Sequence, residues 1–269
     1  MSVNFAVIGV GNMANAIISG ILNSSLDIEK IYLFDKNPEQ YTRSPKSNKY
    51  VIASSVKEAV ENANVILLSV KPQNYPQALE EIRQANDFDS KLYISIAAGI
   101  TSASVSEELG GACVIRVLPN LPMTIGMGVS VICENSQASV EDFNLVCTIF
   151  KSSGSILIID EKEMNRIISA TSSSPAYVFK FIDAIYQGAI AQGLNTDGLL
   201  DAICDVFIGS AALLKASGDD PQTLISKVAS KGGTTQRAID KMEESHISEI
   251  IAEAMIACTR RADELGQQK

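Results

Sequence analysis

The 269-residue sequence predicts an α/β amino-terminal half, with a doubly wound and mostly parallel sheet, followed by an all-helical carboxyl-terminal half. In the first half, short apolar runs alternate with helical patterns, as they do in βαβ units. After Asp160 only helical patterns follow. We therefore expect two domains, one over residues 1–160 and one over residues 161–269.

The apolar runs predict seven strands, at residues 5–9, 31–35, 65–70, 93–97, 114–118, 129–133 and 155–159. Helical patterns lie at residues 15–22, 56–62, 75–83, 102–109 and 140–150. The run at 65–70 is apolar almost throughout, which is typical of a strand covered on both faces. The polar stretch between Lys36 and Lys49 predicts a loop.

Two helices predicted in the second half, at residues 175–192 and 196–216, are apolar on more than one side. A helix of this kind needs cover on more than one face. Because about 110 residues of helices give little internal cover, we expect a second copy of the chain to supply some. The pattern therefore predicts a homodimer formed through the carboxyl-terminal half.

Composition excludes several classes of protein. No apolar run approaches the length of a membrane span, and the first residues do not resemble a signal peptide. A net charge of −9 argues against nucleic-acid binding. Five scattered cysteines favour a reducing cytoplasm, and the single histidine, His246, excludes a histidine-rich metal site. We expect no metal, no membrane and no nucleic acid as partners.

The first predicted strand runs into a glycine-rich turn that opens a helix. This strand–turn–helix pattern fits the looser form of the Rossmann dinucleotide fingerprint, in which the helix N-terminus holds a pyrophosphate. The alternative is an ordinary turn between a strand and a helix. The candidate cofactor-binding residues are Gly9, Val10, Gly11, Asn12, Met13 and Ala14.

Asp35 ends the second predicted strand, where an acid commonly binds the ribose 2′-hydroxyl of NAD and repels the extra phosphate of NADP. Lys36 and Asn37 follow at once, and they would suit a 2′-phosphate instead. The loop behind them is either a solvated connection or the region of the adenosine ribose. The residues alone leave the choice of cofactor open.

Three further loops leave the carboxyl ends of predicted strands, where ligands of open α/β sheets bind. Small residues in the second loop would let a nicotinamide ring lie against the backbone. Lys71, in the first loop, is either a catalytic or phosphate-facing cation or an exposed lysine before a turn. The candidate cofactor-binding residues in these loops are Ser69, Val70, Lys71, Pro72, Ala97, Ala98, Gly99 and Asn120.

A second glycine-rich stretch, at residues 230–235, precedes a predicted helix at 236–244. Glycines and hydroxyls at a helix start form a group of N–H donors that suits a carboxylate, although a simple helix cap is the alternative. The candidate substrate-binding residues are Ser230, Gly232, Gly233, Thr234 and Thr235. The two glycine-rich turns suggest that one holds a cofactor and the other a small acid.

Six segments together resemble the pyrroline-5-carboxylate reductase family, over residues 3 to 265. They occur in the family's order and at its spacing. The first four are Gly9-Val10-Gly11-Asn12-Met13-Ala14, Val70-Lys71-Pro72, Ala97-Ala98-Gly99-Ile100-Thr101 and Arg116-Val117-Leu118-Pro119-Asn120. The last two are Ser172-Ser173-Ser174-Pro175-Ala176-Tyr177-Val178-Phe179 and Ser230-Lys231-Gly232-Gly233-Thr234-Thr235.

The resemblance implies reduction of 1-pyrroline-5-carboxylate to L-proline, the last step of proline biosynthesis, by NADPH or alternatively NADH. It implies that Thr235 directs its hydroxyl to the imine nitrogen while backbone N–H groups beside it hold the carboxylate. It also implies dimers and, in many members, rings of five dimers. Two residues depart from the family pattern, since Lys231 replaces a proline and Leu121 replaces a threonine.

Two alternatives stay open on the sequence. One is another imine reductase or a β-hydroxyacid reductase of the same architecture. A hydroxyacid enzyme would need a lysine acid in the helical half, and Lys180 and Lys231 are the candidates. The other is a non-catalytic dinucleotide sensor, which would have no use for a second glycine-rich loop.

Overall fold

The computed structural model describes residues 2–267. An eight-stranded sheet contains the strands β1 Val3–Ile8, β2 Ile28–Phe34, β3 Tyr50–Ile52, β4 Val65–Leu68, β5 Leu92–Ser95, β6 Cys113–Leu118, β7 Gly128–Cys133 and β8 Gly154–Ile159. Their order is β3-β2-β1-β4-β5-β6-β7-β8. Only the pair β6 and β7 is antiparallel, so the mostly parallel sheet is confirmed.

Eleven α-helices are found in the described residues. They are α1 Asn12–Asn23, α2 Val56–Glu61, α3 Tyr75–Ile82, α4 Ser102–Glu108, α5 Val140–Lys151, α6 Met164–Ile167, α7 Ser174–Ala191, α8 Leu199–Ser217, α9 Pro221–Val228, α10 Thr234–Glu244 and α11 Ile247–Gln267. Between residues 161 and 267 there is no strand, which confirms the helical second half.

Alternate residues of the central strands face two separate cores. Phe5 and Val7 of β1 pack with α1 and α5 on one face, whereas Ala6 and Ile8 pack with α2, α3 and α4 on the other. Every residue of β4 is buried, as its continuous apolar sequence predicts. The sheet is therefore covered by helices on both faces, which confirms the doubly wound, Rossmann-like class.

The chain divides into two compact units. One contains the residues up to Pro175 together with the segment from Cys258, and the other contains Ala176–Ala257. The last part of α11 packs in the first unit, where Ala262 joins a small core with Leu118 and Met164. The boundaries of these compact units differ from the two domains expected at residues 1–160 and 161–269. The domain division therefore stays a prediction.

The second unit is helical and strongly apolar on its surface. Side chains along α7 and α8 that would be expected in a core are exposed in the single chain: Val178, Phe179, Ile185, Val206, Ile208 and Leu213. Across residues 2–267, none of the helices combines the length and the apolar character needed to cross a membrane.

Candidate functional site

A cleft of about 430 Å³ opens at the carboxyl ends of β1, β2 and β4. The connection from β1 runs to one side of the sheet and that from β4 to the other, so the cleft lies where the strand order reverses. Ligands of open α/β sheets bind at such a point. Seven of the predicted cofactor-binding residues line it: Gly9, Gly11, Asp35, Lys36, Ser69, Val70 and Lys71.

The two glycines of the first turn differ in conformation and surroundings. Gly9 has φ of +91°, and a Cβ there would lie 2.9 Å from the Ser69 carbonyl oxygen. Gly11 has φ of −82°, and a Cβ there would meet no described atom within 4 Å. Gly9 is therefore required by the turn itself, whereas Gly11 leaves space on the side of the cleft.

Helix α1 begins directly at this turn, with Gly11 as its N-cap residue and no side-chain cap from any residue between 2 and 267. By contrast, Ser55, Thr101 and Ser139 cap α2, α4 and α5 with side-chain oxygens. The first N–H groups of α1 are thus left for another acceptor, as an anion site needs.

The remaining predicted residues of the turn do not line the cleft. The side chains of Val10 and Ala14 are completely buried in the core, Met13 packs against that core, and Asn12 is exposed. Any contact that Val10 or Ala14 makes with a cofactor would have to come from the backbone.

Asp35 uses its carboxylate within the protein. Oδ2 accepts the N–H of Val10 at 2.7 Å, and Oδ1 accepts the N–H of Asn37 at 2.8 Å. The Tyr41 hydroxyl accepts the Asp35 N–H and donates to its carbonyl oxygen. Asp35, the first residue after β2, therefore ties the glycine turn to the chain that follows it.

Helix α3 supplies polar residues of the cleft that the sequence reasoning missed. Tyr75 fixes the start of α3, because its buried hydroxyl donates to the Leu68 carbonyl oxygen at 3.1 Å and lies 2.9 Å from Ser95 Oγ. Burial also raises the pKa of this hydroxyl to about 12. The missed lining residues are Gln40 in the segment after β2, Gln73 and Asn74 directly before α3, and Gln77 and Glu81 on α3 itself. The four-residue spacing of the last two, which places them on one helix face, was the available signal.

Lys36 and Glu81 meet within this cleft. The Lys36 Nζ lies 3.4 Å from Glu81 Oε1, with 61% of the lysine side chain and 29% of the glutamate side chain exposed. Lys71 also lines the cleft and its side chain reaches solvent. The residues that line the cleft therefore carry both signs of charge.

The other predicted loop residues lie outside the cleft lining. Asn120 is buried, with its Oδ1 accepting the Val129 N–H at 2.8 Å and its Nδ2 donating to the Thr171 carbonyl at 3.2 Å. Pro72 begins a short 3-10 turn. Roles of Asn37, Pro72, Ala97, Ala98, Gly99 and Asn120 toward a cofactor stay predictions.

The second glycine-rich loop opens α10 within the helical unit. Gly232 has φ of +77°, and the Gly233 N–H donates to the Ser230 carbonyl oxygen at 2.9 Å. Gly233 is the N-cap residue, and no side chain in the described part of the chain caps α10. Thr234 and Thr235 therefore begin a helix with free N–H groups, the same arrangement as at α1.

Residues 2–267 contain no group of three or more His, Cys, Asp or Glu side chains arranged to hold a metal ion. His246 is an exposed residue between α10 and α11, with Nδ1 3.6 Å from Glu249. The described residues do present two helix N-termini, those of α1 and α10, that no side chain caps.

The sheet topology, the glycine turn and the cleft define a dinucleotide-binding protein of the Rossmann class. Two family models match segments of this chain, and both agree with this class of protein. Residues 4–99 match "NADP oxidoreductase coenzyme F420-dependent" and residues 161–265 match "Pyrroline-5-carboxylate reductase dimerisation".

Curated relatives and solved structures cover nearly the whole chain. The pyrroline-5-carboxylate reductase of Vibrio alginolyticus is 32% identical over 97% of this chain and 96% of its own. That of Pisum sativum is 32% identical over 98% and 97%. The NADP-bound pyrroline carboxylate reductase of Plasmodium falciparum has a TM-score of 0.86 at 25% identity, covering 98% of each chain.

The chain belongs to the pyrroline-5-carboxylate reductase family, and it is an oxidoreductase. The resemblance seen in the sequence motifs is confirmed. The comparisons give no support to the alternative of a β-hydroxyacid reductase or a different imine reductase.

Proposed function

We propose that this chain reduces 1-pyrroline-5-carboxylate to L-proline, the last step of proline biosynthesis, with NADPH as the favoured hydride donor and NADH as the alternative. The observation that carries this proposal is the match to curated reductases over 97% of the chain. Both glycine-rich loops that the reaction needs are present on the chain, and each opens a helix that no described side chain caps.

The residues of the first cleft fit a dinucleotide. Open space beside Gly11 and the free N–H groups of α1 suit a pyrophosphate. Lys71 lines the same cleft and brings a positive charge to it. When bound, the reduced nicotinamide supplies the hydride, and the chain contributes binding and orientation.

The loop at 230–235 is proposed to hold the substrate. The substrate carboxylate would accept the N–H groups of Thr234 and Thr235, favoured by the positive end of the α10 dipole, while the Gly233 N–H holds the loop by donating to the Ser230 carbonyl oxygen. Among the described residues no hydrogen bond of the Thr235 hydroxyl is found, so it is available to the imine nitrogen. Hydride is added to the carbon of the C=N bond while the nitrogen takes a proton from solvent.

This assignment needs no histidine as a general acid. The single histidine, His246, is exposed and follows the last turn of α10, whereas the substrate loop precedes its first turn. Lys231, the residue of the substrate loop that departs from the family pattern, is exposed. A hydroxyl that orients the imine and a helix N-terminus that holds the acid are sufficient for hydride transfer.

The test is an assay of cofactor oxidation with the cyclic imine acid, run with each nicotinamide. Thr235→Ala is expected to lower kcat by about 10- to 100-fold, the value of one hydrogen bond to a charged group. Its Kd for NADP⁺ should stay within about twofold of the original, because nucleotide binding uses the first cleft. Thr235→Ser keeps the hydroxyl and should retain most of the turnover.

Two outcomes count against the proposal. If the unaltered chain turns over no cyclic imine with either nicotinamide, the proposed reaction is wrong. If Thr235→Ala has unchanged kinetics, the reaction stands but its hydroxyl is wrongly assigned.

We propose that the working enzyme is a homodimer formed through its helical unit, in line with the exposed apolar side chains of α7 and α8. Assembly of five dimers into a ring is an implication of the family resemblance. The five cysteines are free, and we propose a reducing, cytoplasmic location.

A further inference from the structure

The cleft contains an ion pair whose position matters for the choice of cofactor. Lys36 comes from the end of β2 and Glu81 from α3, and their charged atoms are 3.4 Å apart. Both line the cleft together with Gly9 and Gly11 of the phosphate-binding turn. The pair thus belongs to the nucleotide cleft and joins two of its walls.

Asp35 would ordinarily be the residue that rejects a 2′-phosphate. Here each of its carboxylate oxygens already accepts a backbone N–H, from Val10 and from Asn37. The acid is therefore engaged in holding the turn. The charged residues of the lining that remain are Lys36, Lys71 and Glu81.

Lys71 follows β4, whereas Lys36 directly follows the acid at the end of β2 where the ribose is expected. The Lys36 side chain is long and mostly exposed, so it can exchange one anionic partner for another without a change in the fold. Glu81 is less exposed and is fixed on α3, whose first residue Tyr75 is anchored in the core.

We propose that Glu81 sets the preference between the two nicotinamide dinucleotides by competing with the 2′-phosphate for Lys36. With NAD, which lacks this phosphate, the pair stays intact. With NADP, Lys36 leaves Glu81 for the phosphate, and the freed carboxylate repels the same phosphate. The inference rests on the proposed function, since only a nicotinamide-dependent enzyme makes this choice.

Equilibrium binding by titration calorimetry tests this, with NADP⁺, NAD⁺, 2′,5′-ADP and 5′-AMP as ligands. Glu81→Gln is expected to tighten NADP⁺ and 2′,5′-ADP by about three- to fivefold, the size of a surface charge interaction. NAD⁺ and 5′-AMP should change by less than about twofold, since neither carries the 2′-phosphate. The gain should shrink in high salt because these charges are screened.

Glu80→Gln is the matched control. It removes the same charge from the next residue of α3, whose side chain is exposed and does not line the cleft. It should leave the affinities for all four ligands unchanged. A thermal melt of each variant checks that the fold is kept.

Lys36→Gln added to Glu81→Gln should abolish the gain for NADP⁺. The inference is wrong if Glu81→Gln strengthens NAD⁺ and NADP⁺ equally, if it strengthens neither, or if the gain survives the loss of Lys36. Failure of the proposed function looks different, because the unaltered chain would then oxidise neither reduced nicotinamide in the presence of the cyclic imine acid, whatever its affinities for the two dinucleotides.

Discussion

Gly9 and Gly11 belong to one sequence motif but serve different ends. At Gly9 the positive φ and the nearby Ser69 carbonyl oxygen exclude any side chain. At Gly11 the backbone conformation accepts any residue, and the space beside it is free of described protein atoms. The first glycine is a requirement of folding, and the second is a requirement of the ligand.

Substitutions should separate these two requirements. Gly9→Ala is expected to lower the free energy of unfolding by about 2–3 kcal/mol, from backbone strain and contact with Ser69. Gly11→Val should cost no more than about 1 kcal/mol, the size of a weakened helix cap. It should nonetheless abolish NADP⁺ binding, because a branched side chain would occupy the space of the pyrophosphate.

Denaturant unfolding and titration calorimetry measure the two effects. Normal NADP⁺ affinity in Gly11→Val would show that the pyrophosphate does not approach this residue. An unchanged unfolding free energy in Gly9→Ala would contradict the steric account of the turn.

At the scale of elements, an ion pair between a buried arginine and a partly exposed glutamate joins the sheet to the chain beyond it. Arg116 of β6 is 1% exposed, and its Nη1 lies 2.8 Å from Oε1 of Glu161. Its Nη2 donates to Asn165 at 2.7 Å. Ser102, which starts α4, and Cys133, which ends β7, both donate to Glu161 Oε2. Three elements of the first unit therefore depend on one carboxylate.

The charge state of Glu161 should make this junction sensitive to acid. Burial alone would raise its pKa, but hydrogen bonds from Arg116, Ser102 and Cys133, with the arginine charge, outweigh burial and hold the pKa below its ordinary value. Because the folded-state pKa is depressed, the stabilisation is complete above the unfolded pKa of about 4.3. It is lost as pH falls through the lower, folded-state pKa.

Glu161→Gln leaves the buried Arg116 without its counter-charge and is expected to lower the free energy of unfolding at pH 7 by about 3–5 kcal/mol. Its remaining stability should fall less steeply than that of the original chain as the pH drops below about 4.3. Glu163→Gln, at an exposed position of the same turn, is the control and should keep the original profile. An unchanged acid slope in Glu161→Gln would contradict this assignment.

The strands and helices could be predicted where the local sequence pattern determines them. The continuous apolar run at 65–70 predicts β4, and the strand ends two residues early, at Leu68, because Ser69 and Val70 already form the turn. The polar stretch behind Lys36 holds a short 3-10 helix, Pro38–Arg43, and is followed by the three-residue edge strand β3. A strand of three residues is too short to show an alternating apolar pattern, so the sequence does not predict it.

Long-range contacts limited the prediction of the site. The nicotinamide contact that we assign to Gly99 stays a prediction. The structure adds a second constraint that no local pattern shows, because a Cβ at Gly99 would meet Ala262 and Gly266 of α11, more than 160 positions later in the chain. Glu81 was missed because its place in the cleft depends on how α3 is anchored through Tyr75. The approximate positions of the strand ends could be predicted from the local sequence, whereas the long-range contacts of Gly99 and Glu81 could not.

At the scale of the whole molecule, the two units bury their apolar residues to different degrees. The sheet unit has cores on both faces, but α7 and α8 leave large apolar side chains in solvent, among them Phe179 and Val206. A single chain rarely leaves so many large apolar side chains of two helices exposed without a partner. The family match over residues 161–265 is to a dimerisation domain, which supports the proposal that a second copy of the chain covers these helices.

Val206→Glu tests this cover, since Val206 is 64% exposed on α8 of the single chain. If a second copy buries it, an unpaired carboxylate at that position should cost several kcal/mol of association free energy and yield monomers at micromolar concentration in sedimentation experiments. Val140→Glu is the matched control, because Val140 is 73% exposed at the first turn of α5, where an acid is well tolerated. It should leave the dimer intact. A dimer that persists in Val206→Glu would place the subunit interface elsewhere. If the unaltered chain is a monomer, the apolar faces of α7 and α8 lack the cover that we assign to them.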